Sequence, residues 1–208
     1  MTTPGARLGE HESAVEPAQV AYFTRSQLCA IAESGETQSR HLAALLAFTP
    51  SAEQSGGRMR LTFEHVPTAL WIQKTLDHPN VAVTGIGGRA GIIITDPNIT
   101  LAQYGFHEDR WVFGRGLDAS LGVSRGAIHA AAEFTRQGMK VPCPNSPLML
   151  TLTVMMARLG ITARPAADKT RIALSSGDLD LALEILNIPA VSKAYAQLRS
   201  DRAPRCRP

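Results

Sequence analysis

Three cysteines in 208 residues, Cys29, Cys143 and Cys206, are too few and too widely spaced for a disulfide framework or a C-x-x-C metal knuckle. Their scarcity fits a reducing, cytoplasmic setting. Long apolar runs are lacking as well. No stretch approaches the roughly 20 residues of a membrane-spanning helix. The opening segment, with Glu10, Glu12 and Glu16, has none of the basic-then-apolar order of a signal peptide, so no membrane is expected as a partner. The 17 glycines and 13 prolines are too few for a collagenous or low-complexity chain. Charged residues make up 19%, against about 25% in an average soluble domain. No G-x-x-x-x-G-K-[ST], G-x-S-x-G or H-E-x-x-H occurs, so the common nucleotide, serine-hydrolase and zinc-protease signatures are missing.

What is present suits one sizeable domain or two small ones, with 44% hydrophobic residues to fill a core. The net charge is +3 and the pI is near 9.0. That excess belongs to the C-terminal stretch KAYAQLRSDRAPRCRP (193–208), which alone carries +4, so the preceding 192 residues carry −1. Any case for an anionic partner therefore rests on where charges segregate within the body.

The first residues are polar and aperiodic, which predicts a flexible tail over 1–20. Helical spacing predicts a short helix at 26–32 and a stronger one at 38–48, with Leu42, Leu45, Leu46 and Phe48 in a stripe. SAEQSGG (51–57) reads as a loop, and RMRLTF (58–63) alternates as a half-buried strand. A helix at 66–76 and strands at 80–85 and 91–95 joined by a glycine turn come next. Asp96-Pro97 then caps a helix over 98–106. The order repeats: a helix from Ser124 to Arg136, MKVPC as a strand, a helix at 147–159, strands ITAR and TRIALS, and a helix DLDLALEIL.

A shift of 80 residues superposes Phe63–Phe106 on the second half without a gap, with Pro67 on Pro147, Leu70 on Leu150, Arg89 on Lys169 and Asp96 on Ser176. The central helices match with Arg40 on Arg125. The predicted fold is α+β, two α-β-α-β-β-α units related by a pseudo-two-fold, with the small-residue helices LAALLA and GAIHAAA packed at the centre. Its parts are a tail (1–20), a first unit (21–106), a linker (107–122), a second unit (123–192), and a helix end with a basic tail (193–208).

This order resembles the LAGLIDADG homing-endonuclease fold. SRHLAALLAF (39–48), SRGAIHAAAEF (124–134), CPNSPLMLTLTVMMARLGITARP (143–165) and IALSSGDLDLALEILNI (172–188) are similar to segments of the endonuclease-like N-terminal part of the WhiA family of bacterial DNA-binding regulators. The resemblance implies DNA association, in transcription regulation linked to cell division or sporulation. The chain departs from the family in three ways. It is expected to lack the helix-turn-helix domain that follows in WhiA proteins, it reads AAAE where they tend to AGGS, and it lacks their paired cysteines.

The resemblance also bears on catalysis. The metal-binding acids of the nucleases fall on Ala47 and Ala132, neither of which can ligate, while Glu133 has Phe48 as its counterpart. No catalytic residue, metal or cofactor is expected, and the chain is not expected to be an enzyme. GIGGRAG (85–91) matches a loose dinucleotide pattern, but the following IIIT is a strand, so it reads as a hairpin turn. His107, Glu108 and Asp109 are adjacent and cannot converge on one metal. His41 and His129 can face each other as packing or hydrogen-bonding groups, and Cys143, the counterpart of Phe63, is a core residue. The remaining candidate is a duplex-DNA surface made by Arg58, Arg60, Arg89, Lys140, Arg164, Lys169 and Arg171 on strands and hairpins, against only Glu64 and Asp168. The competing reading is a protein-interaction module that keeps the fold without DNA contact, partnering a helix-turn-helix protein or a full-length relative.

Overall fold

The computed structural model describes residues 15–33, 35–166 and 169–200. Helix α1 (Pro17–Ala30) precedes a first unit of α2 (Gly35–Phe48), β1 (Glu53–Ser55), β2 (Arg58–Phe63), α3 (Val66–Leu76), β3 (Val81–Ile86), β4 (Arg89–Thr95) and α4 (Pro97–Thr100). A 3₁₀ turn at Ala102–Tyr104 and a small hairpin, β5 (Phe106–His107) and β6 (Arg110–Trp111), lead to the second unit. That unit contains α5 (Leu117–Ala131), β7 (Glu133–Thr135), β8 (Gly138–Pro142), α6 (Ser146–Arg158), β9 (Arg164–Pro165), β10 (Arg171–Ser175) and α7 (Ser176–Ile185), and α8 (Ala190–Ser200) follows.

Each unit builds a four-stranded antiparallel sheet of the same order, β1-β2-β4-β3 and β7-β8-β10-β9. The inner pairs share one register. Arg58 lies opposite Thr95, and 80 residues on, Gly138 lies opposite Ser175. The predicted fold class stands, with one strand added to each unit. SAEQSGG reads as a loop because Ala52 is its sole apolar residue, yet its residues 53–55 form β1, all three exposed and held by the ladder to β2 and by the hydrogen bond from the Gln54 side chain to Asp109. The fourth strand breaks the correspondence: Ala82 faces Ile93, but Arg164, not Thr162, faces the equivalent Ala173. A slip of two residues keeps the same side chains on the same face.

Several boundaries differ from the sequence expectation for identifiable reasons. α1 begins at Pro17, inside the segment read as tail, behind a reciprocal capping box between Glu16 and Gln19. It buries Val20, Ala21, Thr24 and Leu28, a mixed small-residue face without a strong apolar signal. α5 starts at Leu117, within the segment read as linker, because Ala119, Ser120 and Gly122 make its buried face. It ends at Ala131, where Ala132 turns extended, so Glu133 opens β7 and is not on the helix. The segment after Asp96 makes only four helical residues and a 3₁₀ turn; Asp96 sits at the cap position with φ +48° and caps no N–H with its side chain. Ser175, one residue before the counterpart of Asp96, caps α7, its Oγ accepting from Asp178 N–H at 3.3 Å. α8 buries Val191, Tyr195 and Leu198, so the basic stretch is a packed helix as far as Ser200. The tail residues 1–14 and 201–208 lie outside the described residues.

Two cores lie under the two sheets. One joins Leu42, Leu45 and Leu46 of α2 to Met59, Leu61, Ile92 and Ile94, and the other joins Ile128 of α5 to Met139, Val141, Ile172 and Leu174. Between them α2 and α5 run parallel and touch backbone to backbone. A Cβ on Gly122 would stand 2.3 Å from the Thr37 carbonyl oxygen, and one on Gly126 would stand 2.3 Å from that of His41. Both contacts join residues 85 apart, the spacing that also relates Arg40 to Arg125. Each of those arginines reaches a carbonyl late in its own unit, Tyr104 O at 2.8 Å and Leu186 O at 2.9 Å.

The contact distances set an expected cost. Gly126→Ala forces the helices apart against backbone atoms and lowers stability by about 2 kcal/mol or more. For a chain of this length that is roughly 4–8 °C in thermal midpoint by calorimetry. Thr153→Ala on the outer helix α6 serves as a control and leaves the midpoint nearly unchanged.

Candidate functional site

The ladder registers decide which cations share a face. In β2, Met59, Leu61 and Phe63 point into the core, leaving Arg58 and Arg60 exposed on the outer face of the first sheet. On the second sheet Val141 and Met139 point inward, so Lys140 is outward, and Arg171 and Arg164 share that side through their pairings with Pro142 and Ala173. Five of the seven predicted cations thus lie within the outer sheet faces, two on one sheet and three on the other, and Arg89 has the same outward parity at the far end of β4. Lys140 and Arg164 border a groove of about 370 Å³ that also takes in Thr135, Thr162, Ser175 and Asp178. Arg171 is half-buried, and its Nε has no hydrogen-bond partner among the described residues.

The other two stand apart. Arg89 heads β4 at the hairpin end, about 20 Å along the ladder from Arg58, and its guanidinium is paired with Glu64 at 2.8 Å. Lys169 is exposed in the β9–β10 connection, beside residues outside the described set. The expected scarcity of acids also needs correcting. Strands β1 and β7 place Glu53 opposite Arg60 and Glu133 opposite Lys140, the same cross-strand acid–base pair in both sheets.

A second constellation lies where α1, α3 and the central helices meet, and most of it was not legible in the sequence. Arg125 donates to Glu33 Oε1 at 2.7 Å, and Glu33 Oε2 accepts from His41 Nδ1 at 2.8 Å, with Glu33 and Arg125 both buried. His41 Nε2 is 2.9 Å from His129 Nδ1, His129 Nε2 is 2.8 Å from Thr68 Oγ1, and that hydroxyl is 2.8 Å from His65 Nδ1. His65 Nε2 reaches Ser26 Oγ at 3.0 Å. The Cys29 thiol lies 3.5 Å from His129 Nε2. Trp71 covers His41 with ring centroids 4.7 Å apart, and the Tyr22 ring meets His65 edge-on at 4.6 Å. A pocket of about 340 Å³, lined by Arg25, Ser51, Glu64, His65, Thr68 and His129 among others, opens onto this chain. His41 and His129 were foreseen as facing groups. Glu33, Ser26, Cys29, His65 and Thr68 come from α1, from the connection after it and from the start of α3, and no spacing ties them together.

At the helix ends the positions equivalent by the 85-residue relation, Ala47 and Ala132, are both buried in the apolar core. No carboxylate stands at either.

No protein-family model matches the sequence, and no curated protein is similar to it. Solved structures are. The chain superposes on full-length DUF199/WhiA from Thermatoga maritima with a TM-score of 0.61 at 9% identity, over 88% of this chain and 66% of that one. It therefore spans just under two thirds of that protein. The fold is that of the LAGLIDADG proteins. The N-terminal LAGLIDADG domain of DUF199/WhiA gives a TM-score of 0.58 at 9% identity, covering 81% of this chain and 91% of the domain. The homing endonuclease I-DmoI in complex with DNA and Ca gives 0.56 at 12% identity, covering 74% of this chain and 91% of that one. The resemblance read from the sequence segments is thus a resemblance of fold.

The histidine chain makes the protein acid-sensitive in a definite range. Burial first, then the neighbouring His41, His65 and Arg25, hold His129 well below the usual histidine value, and burial with Arg25 lowers His65. Both stay neutral in the native state, while in the unfolded chain they take up protons near pH 6.5. Their contribution is fully present above that pH and is lost progressively below it, as the unfolded chain takes up protons that the native state does not. Burial acts to raise Glu33, but its bonds and charge contacts with His41 and Arg125 outweigh burial and leave it below the usual carboxylate value. Its contribution is lost at still lower pH. The thermal midpoint should fall steadily between about pH 7 and pH 5; a flat midpoint over that range contradicts the neutral-histidine assignment.

Proposed function

We propose that this protein binds duplex DNA through the outer faces of its two sheets without cutting it. The observation that carries this reading is the placement of Arg58 and Arg60 on one outer face and of Lys140, Arg164 and Arg171 on the equivalent face of the other. Among the described residues none of these five makes an ion pair with a carboxylate, whereas Arg89 and Arg125 do. Phosphate contacts from such a face position a protein without reading sequence. I-DmoI, which shares the fold, is crystallised with DNA, and that supports the choice of partner. Glu53 and Glu133 lie across from Arg60 and Lys140, so phosphate must compete with a neighbouring carboxylate and the affinity is modest.

The non-catalytic part of the reading rests on Ala47 and Ala132: two methyl groups in an apolar core offer no oxygen to a hard cation. By the resemblance to the WhiA family, the process served is transcription regulation linked to cell division or sporulation, in the cytoplasm, alone or beside a helix-turn-helix partner or a full-length relative.

Five phosphate contacts give a log–log salt dependence of affinity with slope about −4.5, so each doubling of salt weakens binding by roughly twentyfold. Arg58→Glu with Arg164→Glu removes most of the binding and lowers the slope by about 2. Titration of a fluorescent duplex at several salt concentrations reads both. Affinity untouched by the double reversal overturns the sheet-face reading, and EDTA-sensitive nicking of supercoiled plasmid overturns the non-catalytic one.

A further inference from the structure

We propose that Cys29, His65 and His129 form a binding site for a zinc-class transition-metal ion, with the fourth coordination position open to the adjoining pocket. The three donors come from the end of α1, the residue before α3 and the last turn of α5. Cys29 Sγ, a ring nitrogen of His65 and His129 Nε2 all lie within 4.8 Å of one another, and the sulfur–Nε2 distance is 3.5 Å. A tetrahedral ion with metal–sulfur and metal–nitrogen bonds of about 2.3 and 2.0–2.1 Å needs sulfur–nitrogen edges near 3.6 Å and nitrogen–nitrogen edges near 3.3 Å. One edge is already at that length, and the others are no longer than 4.8 Å.

The hydrogen bonds behind the donors orient their lone pairs. In the neutral form of His41 that keeps its one proton on Nδ1 toward Glu33, Nε2 is an acceptor, so His129 donates from Nδ1 and its Nε2 is left bare, aimed at Cys29 and Thr68. This carboxylate–histidine–histidine series is the kind of support that fixes a metal-binding imidazole. His65 has an equivalent device. When Ser26 donates to the Tyr22 carbonyl at 3.1 Å, its oxygen accepts from His65 Nε2, and Nδ1 then presents a lone pair to the same spot. The Thr68 hydroxyl lies 2.8 Å from both nitrogens, donating its one proton to His129 Nε2 and accepting from His65 Nδ1–H, so an ion at this spot takes His65 in its other tautomer, with the proton on Nε2 toward Ser26.

One sulfur and two imidazole nitrogens suit zinc and its soft-to-borderline neighbours and do not suit magnesium or calcium. The pocket lined by His65, Thr68 and His129 supplies an entry path and room for a water ligand. Burial pushes the Cys29 thiol up to about 11, so the thiol is protonated at neutral pH, and the ion binds as the sulfur gives its proton to solvent. The bound ion ties α1 to both units at once, a cross-link that apolar packing alone does not provide. The inference is independent of DNA binding.

The test uses the full chain, reduced, stripped with chelator and titrated with Co²⁺ alone and Zn²⁺ alone. The expected result is one ion per chain, a thiolate-to-cobalt charge-transfer band with the visible absorption of tetrahedral cobalt, and bleaching by zinc. Zinc at a hundredfold excess over its Kd raises the thermal midpoint by about 5–10 °C, and it releases one proton per ion in buffer-dependent calorimetry. Cys29→Ser and His65→Asn lose the band and the thermal shift, and Cys143→Ser keeps both. If the variants fail to fold, alkylation of the unaltered chain decides: zinc slows modification of Cys29 and leaves Cys143 unchanged. The absence of a tetrahedral cobalt spectrum, a spectrum that persists in Cys29→Ser, or alkylation of Cys29 indifferent to zinc each overturns the site.

Discussion

The structure depends on the contact between α2 and α5. Gly122 and Gly126 leave no side chain between the helices, and the backbones meet at the Thr37 and His41 carbonyls. That approach fixes the 85-residue correspondence of the central pair and sets one sheet on each side. It also brings His41 within 2.9 Å of His129. With a side chain at Gly126 the two units would still have their own cores, but the polar chain between them would lose its spacing.

Those buried polar groups are costly to desolvate, and the structure answers each with a partner. Glu33 receives both Arg125 and His41, and Arg125 also donates to the Leu186 carbonyl. Breaking such a pair leaves a charge stranded in the interior, which costs several kcal/mol. The network therefore selects one arrangement of the central helices and of α1 more than it adds to stability. It runs from the pocket beside His65 to the core beside Glu33 and crosses the contact between the units at His41 and His129.

The two units are alike where packing requires it and differ where it does not. Both sheets repeat the inner register and the acid–base pairs Glu53–Arg60 and Glu133–Lys140. Where the first has Arg58, the second has Gly138 at φ +144°, and a Cβ there would stand 2.0 Å from the Leu174 carbonyl oxygen. The second sheet recovers cationic surface from β9 and β10, where the two-residue slip brings Arg164 opposite Ala173. The outer faces are therefore similar in charge and different in pattern, as suits contact with a backbone of repeating phosphates more than a shared sequence-reading code.

The sequence by itself determined the elements whose side chains repeat with a period. The stripe Leu42–Leu45–Leu46, the alternation of RMRLTF and the 80-residue correspondence are local or translational patterns, and they were sufficient for the fold and for the outward direction of Arg58 and Arg60. Strands β1 and β7, the start of α1 and the ends of α5 were not legible, because they are held by ladder hydrogen bonds or by small buried residues that leave no periodic apolar signal. The faces of Lys140, Arg164 and Arg171 followed from alternation, but the acids opposite them needed the strand pairing. The convergence of Ser26, Cys29, Glu33, His65, Thr68 and His129 was decided only by the tertiary structure. Those residues span more than a hundred positions of chain, and what brings them together is the close approach of two glycine-lined helices and the docking of α1 against them.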